Sequence, residues 1–278
     1  MMGRMTSASS RDHAPGGSGG LLARSVRAPL RWCVGWGRIV WFGAVLLALA
    51  LSSSTRQPAV RRATARHVVQ DTAPILAGFS ILCALLTLII TRIVVVTARS
   101  YGLSQYALEM VIRVLVLELI PLTAALFVAL RCTIPNGAAL ASLRHRGRFH
   151  EIRREGHDPL ALEAVPRMLA GVFSTATLAA LSGVVAIVLA YLAANGLSGA
   201  GFEAYTRVFG RVFNGTVSLI LLLKTALFAL AVSVIPMASA LQDLQTRGSR
   251  ESAALQGLVR MFAVLLVLEA VSLVGNYY

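Results

Sequence analysis

Long apolar runs restrict what this chain can fold into more than any other feature. Five of them occupy residues 74–98, 106–130, 164–194, 212–241 and 258–278. Each is long enough for an α-helix to cross a bilayer, which takes about 20 residues. Helices satisfy all their backbone hydrogen bonds inside hydrocarbon, and continuous apolar runs of this length favour them over strands. We therefore predict an all-α polytopic membrane protein with five transmembrane helices.

The amino-terminal part of the chain differs from these runs. Residues 1–28 are rich in Ser, Gly and Arg and predict a disordered cytoplasmic tail. Residues 39–51 are apolar over only about half the ~20 residues of a spanning helix and have arginines on both sides. A crossing would place one basic cluster outside, so 29–73 are predicted to form an interfacial elbow helix and its connection. A signal peptide is the alternative, but the preceding basic region is too long for one.

The arginines predict the orientation of a single membrane domain, residues 29–278. The amino terminus, the 131–163 loop and the 243–257 loop together carry 18 arginines, whereas three lie on the opposite side. Basic residues accumulate on the cytoplasmic side of membrane proteins. We therefore expect a cytoplasmic amino terminus, a periplasmic carboxyl terminus and a place in a bacterial inner membrane. The formal net charge of +14 then faces anionic headgroups, and no nucleic acid partner is expected.

Several charged residues interrupt the predicted spans. Glu109 and Arg113 are four apart and can pair on one helix face, as a structural pair or beside a transport path. Glu118 has no such neighbour, and Lys224, the single lysine of the chain, is its candidate partner. The two form either a buried structural pair or part of a polar patch that holds a lipid headgroup. Glu269 is expected to face a neighbouring helix or subunit.

Motifs of enzymes and metal sites are missing from the sequence. It contains no P-loop, no H-E-x-x-H and no G-x-S-x-G, and no nucleophile and base pair supports an intramembrane enzyme. His145, His150 and His157 are spaced unlike zinc ligands. We expect no catalytic residues, no metal site and no cofactor, so any energy must come from a partner or a gradient.

Three segments carry a resemblance to a known family. They are ELIPLTAAL at 118–126 with Arg131 after it, GHDP at 156–159 followed by VPRMLA at 165–170, and KTALF at 224–228. They resemble E-[LI]-G-P-V-L-T-A-L…G-R, M-G-x-D-P…V-P-R-x-L-A and K-S-x-x-F of the MlaE/YrbE-type permease subunits of MCE-family lipid ABC transporters. The likeness covers roughly residues 29 to 278.

The resemblance implies a permease that moves phospholipid or another hydrophobic lipid between the inner membrane and the periplasm. It implies a permease homodimer, a cytoplasmic ABC ATPase that supplies the energy, and a periplasmic MCE-domain protein. Glu118 and Lys224 would then lie near the lipid pathway, and we include Glu109 and Arg113 with them. The residues expected to couple to the ATPase are Arg148, Phe149, His150, Glu151, Ile152, Glu155, Gly156, Asp158 and Pro159.

The chain departs from the family pattern at two places. Ile120 replaces a glycine, and the CTIP segment at 132–135 replaces small residues, so close helix packing there must differ. The acidic E-Q-I-D-A-L coupling segment of the family aligns with GRFHEI at 147–152 and loses both acids. A surface that met a basic groove would now repel it unless the partner has changed too. The alternative function is a degenerate permease that acts as a membrane scaffold without transport.

Overall fold

A computed structural model describes residues 18–52, 57–196, 201–242 and 250–277, and within these ranges the chain is helical without β-strands. The α-helices are α1 Ser18–Leu51, α2 Pro58–Ser100, α3 Ser104–Val111, α4 Ile120–Val128, α5 Ile134–His145, α6 Arg148–Arg154, α7 Val165–Asn195, α8 Phe202–Val212, α9 Gly215–Gln242 and α10 Arg250–Tyr277. Three π-helical segments, Ile112–Leu119, Ala129–Thr133 and Leu160–Ala164, join α3 to α4, α4 to α5 and the 155–159 turn to α7.

Six helical stretches in the described residues are long and apolar enough to cross a membrane, as expected for a polytopic membrane protein. They are Val34–Leu51, Pro58–Ser100, Tyr106–His145, Leu160–Asn195, Gly215–Leu241 and Leu255–Asn276. The first lies within the predicted elbow region, so its length does not separate a crossing from an in-plane helix. The elbow therefore remains a prediction that depends on the arginine distribution.

The helices extend beyond the apolar runs that predicted them. α1 begins at Ser18, inside the predicted tail, whereas residues 1–17 lie outside the described ranges. α2 has 43 residues, which corresponds to about 65 Å, roughly twice the thickness of the hydrocarbon layer. The helix expected to end at residue 130 continues through α5, where Asn136 Nδ2 donates to Asp71 Oδ2 of α2 at 2.7 Å. Polar contacts hold these extensions together, and hydropathy does not detect them.

Part of the segment between the apolar runs 164–194 and 212–241 is helical. α8 is amphipathic, and its Tyr205 side chain donates to the Ile187 carbonyl of α7 at 2.7 Å. The ring of Tyr205 lies 5.1 Å from that of Tyr191, and burial raises the pKa of Tyr205 to about 12. α8 is therefore packed onto the end of α7.

Glycines allow the closest approaches between the central helices. A Cβ on Gly171 of α7 would lie 2.6 Å from Ser233 Oγ of α9 and 2.9 Å from Thr133 Cγ2. A Cβ on Gly137 of α5 would lie 3.1 Å from the Pro236 carbonyl oxygen of α9. Small residues drive helix association in membranes because backbones can then approach closely. Close packing around the 132–135 segment thus depends on glycines at 137 and 171.

The predicted orientation can be tested with two reporter fusions. We expect alkaline phosphatase fused after Tyr278 to be active and green fluorescent protein at the same place to be dark, because five crossings put the carboxyl terminus in the periplasm. Fusions truncated after Arg146 should give the reverse pattern. A fluorescent carboxyl-terminal fusion would mean that the 34–51 segment also crosses and would contradict the elbow.

Candidate functional site

Lys224 of α9 is the centre of a buried charged cluster. Only 3% of the residue is exposed, and its Nζ atom forms an ion pair and hydrogen bond with Glu118 Oε2. Glu269 Oε2 of α10 lies 2.9 Å from the same Nζ atom as an ion pair, without the angles of a hydrogen bond. Nζ also donates to the Leu117 carbonyl at 3.2 Å. Three separate membrane helices therefore meet at one lysine.

The backbone around Glu118 explains how Lys224 finds an additional acceptor. Glu118 lies in the π-helical segment Ile112–Leu119, and such segments are frequent at functional sites. Pro121 follows and has no N–H, so the usual α-helical bond to the Leu117 carbonyl cannot form. That carbonyl is the one that accepts Lys224. The Leu-Glu-Leu-Ile-Pro sequence at 117–121 thus provides both a carboxylate and a backbone oxygen.

One face of α10 adds polar groups to the cluster. Glu269, Ser272 and Asn276 follow the i, i+3, i+7 spacing of a single helix face. Asn276 Nδ2 donates to Glu118 Oε1 at 3.1 Å. Ser272 Oγ and Asn276 Oδ1 are buried and have no hydrogen-bond partner among the described residues. This face therefore retains hydrogen-bonding capacity beside the charged groups.

The charges of the cluster do not balance. Glu118 and Glu269 contribute two carboxylates and Lys224 one ammonium, which leaves one formal negative charge. Glu118 and Lys224 are buried, whereas Glu269 and Asn276 on α10 are only partly buried. Uncompensated charge is unfavourable in a low-dielectric interior. The cluster therefore needs either a proton on one of its carboxyl groups or a polar or cationic group that approaches along α10.

A family model described as Permease MlaE matches residues 61–274. The chain belongs to the MlaE permease family. No curated protein gives a significant match. The matched range includes Glu118, Lys224 and Glu269, and it makes the chain a membrane-embedded permease subunit of the ABC transporter type and not itself an enzyme.

The sequence predicted part of this cluster. The expected contact between Glu118 and Lys224 is present in this MlaE permease. Glu269 was expected to face a neighbouring helix or subunit, and it joins the same cluster. Asn276 was not recognised, although its seven-residue distance from Glu269 places both on one face of α10.

Glu109 and Arg113 form the local pair that their spacing predicted. Arg113 Nε donates to Glu109 Oε1 at 3.1 Å, and both side chains are partly exposed. Arg211 of α8 lies 4.0 Å from Glu109 Oε2. Within the described residues their ion-pair partners are each other and Arg211, so this pair connects α3 to α8 and not to the Lys224 cluster.

The candidate coupling segment of the permease contains α6, whose side chains divide by burial. Ile152 is fully buried, and Phe149 packs partly against a core cluster of α1, α5, α7 and α9 residues. Arg148 and Glu151 are exposed and form an ion pair at 2.9 Å, and His150 and Glu155 are exposed too. Ile152 and Phe149 therefore attach α6 to the bundle, and the charged side chains are the ones free to meet a partner.

The remaining residues of the candidate coupling segment, Gly156, Asp158 and Pro159, shape the turn between α6 and α7. Gly156 has φ +79°, in the left-handed region that favours glycine. Asp158 Oδ1 accepts the backbone N–H of Leu160 at 2.9 Å, next to the buried Pro159, and so stabilises the start of the following helical segment. These residues turn the chain from α6 into α7.

Proposed function

We propose that this MlaE permease is the transmembrane subunit of an MCE-type ABC transporter that moves phospholipid or another hydrophobic lipid between the inner membrane and the periplasm. A separate cytoplasmic ATPase drives it, two permease copies form the membrane core, and a periplasmic MCE-domain protein exchanges lipid with them. The observation that carries the proposal is the buried Lys224 cluster inside a chain of this family.

The cluster supports a role in lipid handling because it combines polarity with an apolar surrounding. A lipid headgroup that enters a helix bundle needs charged or hydrogen-bonding partners, since unpaired polar groups are unfavourable there. Lys224, Glu118 and the open hydrogen-bonding positions of Ser272 and Asn276 supply them. Glu109 and Arg113 lie twelve and eight residues before Pro121 in the same continuous helical stretch. We place them on the outer part of the lipid path.

α6 supports coupling to a separate ATPase. It is a short helix held on the bundle by Ile152 and Phe149, with Arg148, Glu151 and Arg154 exposed. A helix fixed in this way can transmit movement of a docked motor to the membrane helices. Its excess of basic residues requires an ATPase surface that is acidic at the matching position.

The proposal is tested by purifying the tagged permease from its native membrane and identifying what comes with it. We expect a P-loop ATPase in stoichiometric amount. Arg148→Glu combined with Arg154→Glu should remove most of it, because both side chains are exposed on α6 and the reversal changes the charge of that surface by four units. Mass spectrometry of the eluate and its ATPase activity measure the effect.

The matched control reverses two exposed arginines at the other end of the bundle. Arg99→Glu combined with Arg207→Glu makes the same change in charge and should retain the ATPase. A pure permease homodimer without any ATPase would overturn the transporter proposal and favour the non-transporting scaffold, to which the altered charge of α6 also points. Equal loss in both double variants would mean that α6 is not the docking surface.

A further inference from the structure

A cleft of about 330 Å³ lies between α6 and the ends of α5 and α9. This volume is within the ~300–1,000 Å³ range of small-molecule sites. α1 closes one side through Phe42, and Pro159 and Leu160 close another. The cleft is far along the bundle from the Lys224 cluster, since its α9 residues are Ala238 and Leu241.

Within the described part of the chain, the charged residues that line the cleft are basic. They are Arg144, His150 and Arg153. Glu151 of α6 is paired with Arg148 instead. Arg144 uses one N–H to donate to the Leu241 carbonyl at 3.2 Å, which leaves further N–H groups of its guanidinium for a ligand. Two arginines and a histidine on one cleft make a site for an anion.

The remaining lining of the cleft is apolar. Phe42, Phe149, Leu160 and Leu241 provide it. Phe42 belongs to α1 and is partly buried, so the apolar lining reaches from α6 and α9 across to that helix. A small soluble anion would leave this surface unused, whereas an acyl chain would cover it.

We infer that this cleft binds the phosphate headgroup of an anionic phospholipid, with Arg144 and Arg153 on the phosphate and an acyl chain along Phe42 and α1. Basic pockets between membrane helices on the cytoplasmic side bind such headgroups, and guanidinium groups suit phosphate oxygens. The site does not depend on transport. The bound lipid would hold α6 at the membrane surface. α6 overlaps the 147–152 segment, whose charge departs most from the family pattern.

The test uses the purified full-length permease without an ATPase, mixed with equal amounts of phosphatidylglycerol and phosphatidylcholine of the same acyl chains. Native mass spectrometry measures which lipid is retained. We expect a preference for phosphatidylglycerol that falls about fivefold for Arg153→Gln and on the order of twentyfold for Arg144→Gln combined with Arg153→Gln. The single variant keeps the bond from Arg144 to Leu241, so it remains informative if the double variant unfolds.

The matched control is Arg146→Gln combined with Arg154→Gln, which removes the same charge from exposed residues of the same segment outside the cleft. It should keep the preference. Equal losses in both double variants would overturn the site, because they would show attraction to the whole basic surface. Displacement of the lipid by soluble glycerol 3-phosphate at equal concentration would overturn the lipid assignment. An unchanged preference in Arg144→Gln combined with Arg153→Gln would overturn it too.

Discussion

Replacing Lys224 by methionine should lower the free energy of unfolding by about 3–5 kcal/mol, because it leaves the buried Glu118 and the partly buried Glu269 without their shared cation. Methionine fills a similar volume, so the loss of charge dominates over the loss of packing. Lipid bound to the purified transporter should fall in the same variant. Both effects depend on one side chain that joins α9 to two other helical segments.

Unfolding can be followed in detergent with a thiol-reactive dye. Cys83 and Cys132 are buried free thiols, and a Cys33→Ala background leaves them as the only reporters. The control is Arg92→Met, which removes an exposed cation from α2 and should change stability by no more than about 0.5 kcal/mol. An unchanged unfolding temperature in Lys224→Met would contradict the ion pairs of Lys224 with Glu118 and Glu269.

A triple variant separates stability from function. Lys224→Met together with Glu118→Gln and Glu269→Gln neutralises the whole cluster, and replacing a complete buried ion network by neutral groups is often neutral for stability or even stabilising. We expect the unfolding temperature to recover while lipid binding does not. Recovery of lipid as well would make the cluster purely structural and would contradict its place on the lipid path.

Replacing Gly171 by valine should destabilise the bundle by about 3 kcal/mol or more, because the first added carbon already meets Ser233 Oγ and Thr133 Cγ2 at 2.6 and 2.9 Å. The two further methyl groups have no space unless α7 moves away from α9. The same dye assay should show a lower unfolding temperature, and size-exclusion chromatography should show more aggregate.

Gly78→Val is the matched control for this substitution. Gly78 lies in α2 with no heavy atom within 4 Å of the position a Cβ would occupy. Both variants exchange the same residue types within a helix, so helix propensity cancels in the comparison. Equal unfolding temperatures of the two variants would contradict the close approach of α7 to α9 at Gly171.

The sequence alone determined the class of the protein and one contact of its cluster. Apolar runs report which segments avoid water, and this property depends on each segment separately. The segments at 118–126, 156–170 and 224–228 indicated the family for the same reason, since motifs are local. Glu118 and Lys224 could be paired because each lacked a partner on its own helix and the chain has a single lysine.

The tertiary structure decided what depends on the rotation and approach of helices. Glu269 and Asn276 joined the cluster because α10 turns that face toward α9, which no local pattern specifies. Ile152 was expected to meet a partner, yet burial against the bundle assigns it to holding α6 in place. The basic cleft combines α1, α5, α6 and α9, which are up to about 200 residues apart in the chain. Packing brings such distant positions together because each helix must bury its own face, and the sequence of one helix does not state which neighbour will cover it.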